Sequence, residues 1–327
     1  MIRYTNKYDF SVIIPSYNEA KSIIKCIESI KKNDGKNIIY EIIVIDNGST
    51  DGTVEAVREL GIKIIVNSKG KRKSIGTLRN IGARLSRGNI LTFLDADVIV
   101  PDNWLQKAKD YFDNGFEGEL GFVEDVPDSA GWVGRVWGKR LILRRNRVMD
   151  VDFLPGRNIF INCHVFEKIK GFSKTLKTGE DKDISLRVLK AGYRVISVPY
   201  PPVIHLGYER DLWDFMKKEF WRQGNTIQIV KQWGFSLRTL RNPILSLWHI
   251  LMPFYIIISI IFLNTYLVLS LISIWFLPSL IISFSEIKAK KYLNLLLPLF
   301  FLTWIRWNVS GLALFYQIFR EYIFRRI

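Results

Sequence analysis

Two aspartates close an apolar run in the stretch NILTFLDADVIV, residues 89–100, with only Ala96 between Asp95 and Asp97. On an extended chain residues i and i+2 face the same way, so such a pair could share one hard divalent cation and, through it, orient the oxygens of a diphosphate. Aspartate is equally at home as a turn or cap residue where a strand ends. A second acidic knot, Glu180, Asp181 and Asp183, has the spacing of a helix's first turn, where carboxylates favour the macrodipole.

The elements around these groups argue for more than capping. Apolar runs at 10–14, 41–45, 62–66 and 90–94, each bounded by Gly, Asn, Asp or Pro, predict buried strands. Glu19–Lys31, Thr53–Leu60 and Ile75–Ser86 carry apolar residues at helical spacing between them. Strand and helix alternate, which predicts an α/β domain, Rossmann-like, with a mostly parallel sheet and helices on both faces. Ligands of such sheets sit beyond the carboxyl ends of the strands. That rule selects three polar loops: Pro15–Glu19, Asp46–Asp51 and Asp95–Asp97.

The segments SVIIPSYNEA, EIIVIDNGSTDGT, LRNIGARLSRGNILTFLDADVIV and TGEDKDISLRVLKAGYRVISVP, in this order and spacing, resemble glycosyltransferase family 2, the inverting enzymes of GT-A fold. The likeness runs from residue 10 to about 207. It implies a nucleotide-diphosphate sugar donor held by Pro15, Tyr17, Glu19 and Asp46, with Asp46 reading the base edge, and by Arg79, Asn80 and Asp95. It implies a divalent cation, magnesium or manganese, on Asp95, Asp97 and His205. Glu180 and Asp181 match the family's catalytic pair, with Asp181 as the general base that takes the acceptor hydroxyl's proton. Gly156, Arg157 and Asn158 fall in the acceptor-side segment. An Asx turn at DNGSTD and a solvated helix face at Arg79 and Asn80 are the plain structural readings of the same residues. The family's processive synthases carry a Gln-x-x-Arg-Trp motif near residue 220; here the chain reads EFWRQGN, which favours transfer of single sugars.

Composition extends the picture to a membrane. The 327 residues carry a formal net charge of +16 and are 48% hydrophobic, and the apolar residues crowd into 243–319. The boundaries this implies are a catalytic domain at 1–210, an amphipathic interfacial region at 211–242 and a membrane domain at 243–327, with spans near 244–263 and 267–284. Pro298 and Arg306 divide 292–319, which suits re-entrant or in-plane helices better than a third span. Lys288, Lys290 and Lys291, with Arg320, Arg325 and Arg326, place their flanks, and with them the catalytic domain, on the cytosolic side. Residues 131–148 concentrate Arg135, Lys139, Arg140, Arg144, Arg145 and Arg147 among tryptophans. That pattern suits an anionic lipid surface or an acceptor phosphate, whereas no nucleic-acid-binding motif accompanies it. Cys26 and Cys163 stand far apart, which excludes a disulfide framework or a Cys-x-x-Cys zinc site. No charged and apolar leader opens the chain. Together these predict a membrane-anchored enzyme with a lipid-linked or membrane-proximal acceptor and membrane lipids as partners. A polyprenyl-phosphate sugar synthase and an inactive binding subunit that keeps the fold are the alternatives; intact Asp95, Asp97 and Asp181 speak against the latter.

Overall fold

A computed structural model describes residues 7–33, 37–67, 71–144, 147–176, 178–224, 226–262, 265–287 and 290–322. The chain divides into two compact units, Met1–Pro127 with Arg145–Gly207, and Asp128–Arg144 with Tyr208–Ile327.

The first unit opens as predicted: β1 (Tyr8–Ser16), α1 (Ala20–Lys31), β2 (Tyr40–Asp46), α2 (Thr53–Glu59), β3 (Lys63–Val66), α3 (Ile75–Leu85) and β4 (Gly88–Leu94). Strands β3, β2, β1 and β4 lie side by side, all parallel. Strands β1, β2 and β4 are buried on both faces and the edge strand β3 is half-buried, which is why their sequences read as continuous apolar runs. Phe10, Val12 and Ile14 pack into one core layer, whereas Ile13, Leu91 and Phe93 pack into the other.

The chain then adds β5 (Val98–Ile99), α4 (Trp104–Asp113), β6 (Gly118–Asp125), the helix α5 (Trp132–Arg144) of the second unit, β7 (Met149–Asp150), β8 (Asn158–Asn162), α6 (Cys163–Lys168), α7 (Glu180–Lys190) and β9 (Arg194–His205). Strand β8 enters antiparallel between β4 and β6, and β9 runs parallel to β6. Short β5 pairs with the end of β9, Val98 opposite His205. This pairing brings the residues after β4 to the last residue of β9.

The second unit is helical: α5, α8 (Leu212–Arg222), α9 (Thr226–Trp233), α10 (Leu237–Ile261), α11 (Thr265–Glu286), a 3-10 turn at Lys290–Leu295 and α12 (Leu296–Tyr322). Ser236 caps α10 through the reciprocal box with Thr239. Among the described residues three helices are long and apolar enough to cross a membrane, over Thr239–Ile261, Thr265–Glu286 and Tyr292–Arg320. Pro253 does not break α10. Its missing N–H frees the His249 carbonyl, and Trp275 Nε1 of α11 donates to that oxygen at 3.2 Å.

Two sequence expectations look different here. Residues 296–322 form one unbroken helix rather than a re-entrant pair, because Pro298 falls in the first turn, where no N–H is needed. Arg306 finds Glu219 of α8 as its partner at 3.2 Å. The basic segment is not a free surface helix either: Val133, Val136 and Trp137 of α5 are buried with Phe215, Leu299 and Leu302. Arg140 stacks on Trp137 at 3.7 Å, and burial lowers its pKa to about 10. The Arg144 side chain, Arg145, Lys288, Arg325 and Arg326 lie outside the described residues.

Candidate active site

Arg79 organises the carboxyl end of the sheet. From α3, whose first turn is capped by Ser74, its guanidinium reaches three acceptors. Nη1 donates to Glu180 Oε1 at 2.8 Å, and Nη2 donates to Asp95 Oδ1 at 2.8 Å and to the Gly156 carbonyl at 2.7 Å. Gly156 has to be glycine, since a Cβ there would lie 2.7 Å from Nη1. The resemblance put Arg79 on the nucleotide, but at 1% exposure its charge is committed to two carboxylates. Its neighbour Asn80 is equally occupied: the side-chain amide donates to the Phe172 carbonyl at 2.8 Å and accepts from the Phe172 N–H at 2.9 Å. Both are structural residues of the site.

The D-A-D segment is a turn, closed by Val98 N–H donating to the Asp95 carbonyl at 3.2 Å, so the two carboxylates do not stand side by side as on a strand. Asp95 faces Arg79. Burial pushes its carboxyl up, Arg79 opposes this, and Asp97 adds to the rise. Asp97 faces His205, Oδ2 to Nε2 at 3.3 Å. Burial would raise Asp97 too, but the hydrogen bond and charge of His205 and the charge of Arg157 outweigh it and hold it low.

Gly207 lets this pair form; a Cβ there would collide with the Asp97 carboxylate and approach His205. Among the described residues no three His, Cys, Asp or Glu groups lie close enough to hold an ion by themselves. Asp97 and His205 nevertheless supply an ionised oxygen and a ring nitrogen side by side. That set fits a cation of magnesium or manganese type whose remaining ligands are diphosphate oxygens and water.

Glu180 and Asp181 open α7. Burial and the Asp181 charge push the Glu180 carboxyl up, against Arg79. Asp181 Oδ2 accepts from the Gly156 N–H at 3.2 Å, so the 154–157 loop touches Arg79 through one backbone group and Asp181 through the other. Arg157 pairs with Glu124 of β6, Nε to Oε2 at 2.9 Å. Asn158 turns away from the acceptor floor: it donates to the Phe122 carbonyl at 3.0 Å and accepts from Trp104 Nε1 at 3.2 Å, buried in the core. Asp183 is likewise buried, paired with Arg187 at 2.6 Å.

The first two loops are stitched to each other. Asp46 accepts from the Gly48 and Ser49 N–H groups at 2.9 Å each and from the hydroxyls of Ser49 and Ser16 at 2.5 and 3.1 Å. A carboxylate has about four acceptor positions, so Asp46 shapes the Asx turn and has none left for a base edge. Asn18 accepts from Thr50 N–H at 2.9 Å, and its own N–H donates to Ser49 at 2.8 Å. Pro15 is buried at the end of β1, and Tyr17 is half-buried. Glu19 precedes α1, and its carboxyl accepts from Ser22. Burial raises it against that bond, helped by Asp97, Asp95 and Asp51.

Three residues that the sequence did not single out, Arg72, Glu124 and Glu119, belong here together with Asn47 of the Asp46–Asp51 loop. Arg72 lies over the Tyr17 ring, 3.7 Å from its centroid. Asn47 holds Lys73 by both backbone groups, at 3.0 and 3.1 Å. Glu124 anchors Arg157. Glu119 sits wholly buried below α7 and accepts from Ser185 at 3.0 Å. Nothing local marked them, apart from the unusual acids in the strand sequence GELGFVED.

Comparison with known proteins agrees with this geometry. Residues 11–170 match the description of glycosyl transferase family 2. Glycosyltransferase AglE of Haloferax volcanii is 30% identical over 251 residues, covering 73% of this chain and 79% of its own. The chain belongs to glycosyltransferase family 2. Another relative in this glycosyltransferase family is the dolichyl N-acetyl-alpha-D-glucosaminyl phosphate 3-beta-D-2,3-diacetamido-2,3-dideoxy-beta-D-glucuronosyltransferase of Methanococcus voltae. It is 27% identical over 216 residues, 58% of this chain and 64% of that protein. In three dimensions the chain is similar to the mannosyltransferase PcManGT of Pyrobaculum calidifontis, solved with GDP-Man and Mn2+. The TM-score is 0.61 at 17% identity, over 97% of this chain and 88% of that one. The glycosyltransferase fold of the first unit is therefore GT-A.

Proposed function

We propose that this glycosyltransferase is anchored by its C-terminal helices and transfers a single sugar, with inversion, from a nucleotide-diphosphate sugar to a lipid-linked or membrane-proximal acceptor on the cytosolic side. The placement of Asp181 carries the reading: its carboxylate is oriented by the Gly156 N–H and backed by the buried chain Glu180–Arg79–Asp95. Asp181 takes the proton of the acceptor hydroxyl as that oxygen bonds to the anomeric carbon, and the nucleoside diphosphate departs with the electron pair of the broken bond. Asp97 and His205 would hold a divalent cation, which when bound offsets the charge gathering on the leaving diphosphate. Tyr17, Arg72 and the loop shaped by Asp46 and Asn47 form the donor's nucleoside platform. The lipid-linked acceptor is favoured by the Methanococcus voltae relative, a glucuronosyltransferase named for a dolichyl N-acetylglucosaminyl phosphate.

The test incubates the full chain in membranes with a panel of nucleotide sugars and a polyprenyl-linked sugar acceptor. The expected product is an acid-stable glycoside, formed only with a divalent cation present. Asp181→Asn should abolish transfer and still bind nucleotide, since an amide cannot take a proton at neutral pH. Transfer persisting within a few fold would move the base elsewhere, and an acid-labile product would indicate a sugar phosphate instead.

A further inference from the structure

Among the described residues three C-terminal helices have the length and composition of membrane spans, yet α12 differs from the other two in what its flanks carry. Where α12 meets α10, Gly311 lies against the Ser246 carbonyl and Ile250, and Trp307 stacks near His249. Where it meets α11, Thr303 approaches Ser283, while Phe300 and Trp304 pack on Phe276. The α10–α12 partners fall within about 6 Å of helix on each side, Ser246 to Ile250 and Trp307 to Gly311. Away from these contacts the α10–α11 hairpin stands bare: Phe254, Tyr255, Ile257, Ile261, Tyr266 and Leu269 are all exposed.

The faces of α12 agree. Leu297, Phe301, Leu312, Phe315 and Phe319 recur on one side at helical spacing and are exposed at the two ends of the helix, with half-buried Trp304 and Asn308 between them. The opposite side is buried: Leu299 and Leu302 against α5 and α8, Arg306 beside Glu219, and Gln317 donating to the Gln223 carbonyl. Glu219 also binds Arg222, which binds Glu209, both at 2.6 Å. Charged groups thus line one flank of α12 near its middle, and bare apolar side chains line the other at both ends. A helix crossing the hydrocarbon would carry that charge to the bilayer's centre, where it is costly.

We propose that only α10 and α11 span the bilayer, and that α12 lies in the plane of the membrane surface, its Leu297–Phe319 stripe facing the acyl chains and α5 and α8 covering its polar flank. The lipid headgroup–acyl boundary is the partner of that stripe. The inference rests on the membrane anchoring proposed above and is independent of donor or acceptor. The C-terminus then returns to the side from which α10 departs.

The test places single cysteines in the full chain, reconstituted in sealed vesicles, with half-buried Cys163 replaced by Ala and buried Cys26 retained. An impermeant maleimide should label Ser236→Cys and Arg320→Cys from one side and Tyr266→Cys from the other. Labelling of Arg320→Cys together with Tyr266→Cys would mean that α12 crosses, overturning the inference alone; labelling of all three from both sides would remove the membrane anchoring and this inference with it. Nitroxides at Leu297→Cys, Phe301→Cys, Leu312→Cys and Phe319→Cys give a second readout. In-plane packing puts all four at depths within about 5 Å of one another, whereas a span separates the first and last by about 33 Å.

Discussion

Arg79 shows how a motif residue can be wholly engaged by the protein's own groups. Its planar fork satisfies Asp95, Glu180 and the Gly156 carbonyl at once, a geometry that a lysine's single ammonium cannot reproduce. Arg79→Lys should therefore lose about 3 kcal/mol or more of stability in denaturant unfolding, as expected when a buried pair is broken. Unchanged stability with donor affinity alone reduced would return Arg79 to the nucleotide. Glu119 poses the opposite problem, a carboxyl with no charged partner in contact. Burial pushes it up to about 8 from 4.5, with Ser185 opposing, Asp181 adding and Arg187 opposing. The folded chain then keeps a proton that the unfolded chain releases. This contribution to stability is complete below about pH 4.5 and declines as pH rises towards 8, by up to about 1.4 kcal/mol per pH unit. Glu119→Gln removes the titration, so unfolding measured at intervals across that window should show a flatter slope than in the unaltered protein. Parallel slopes would show that Glu119 is ionised in the fold.

At the scale of elements, legibility followed burial. Strands β1, β2 and β4 are covered on both faces and β3 is half-buried, so each appears as an unbroken apolar run between turn residues, and all four were read from the sequence. Strand β6 was not, because GELGFVED places Glu119, Glu124 and Asp125 where a core strand has apolar groups, and Glu119 and Glu124 meet partners from α7 and the 154–157 loop. Strand β8 hid for the related reason that its ends, Asn158 and Asn162, look like loop residues until Trp104 and the Phe122 carbonyl stand beside Asn158. The site divided in the same way. The loops that converge were recoverable, since strand ends and acidic pairs are local signals. Which member of a motif faces a ligand was not, since Asp46, Arg79, Asn80 and Asn158 are fixed by partners, three of them by groups 16 or more residues away and the fourth mainly by its own turn. The helices of the second unit read well in extent and poorly in arrangement, because hydropathy reports what a helix can be solvated by and says nothing of its angle to its neighbours.

For the whole molecule, the charge of +16 over 327 residues sets a consequence that no single contact shows. Like charges repel in the compact state and weaken it unless an outside surface answers them. Arg135 on α5, Arg147 just after it and Arg210 ahead of α8 are exposed, and Lys217 lies over the exposed Trp213 ring at 5.1 Å. Tryptophan beside lysine is the composition of a headgroup layer, where each cation near an anionic leaflet gains roughly 1 kcal/mol. The full chain in nanodiscs of phosphatidylglycerol should therefore unfold at a higher temperature than in phosphatidylcholine when ionic strength is low. Raising the salt should close the gap, because the Debye length falls from about 30 Å at 0.01 M to about 3 Å at 1 M. The hydrophobic contacts of α10 and α11 with lipid tails are the same in both discs, so they cancel in the comparison. Replacing Arg135, Arg147 and Arg210 with Gln should shrink the low-salt gap and leave nucleotide binding unchanged, since the donor loops are built on β1, β2 and α3. Equal unfolding temperatures in the two lipids at low salt would mean that these cations face water and leave the anionic leaflet no part in stabilising the fold.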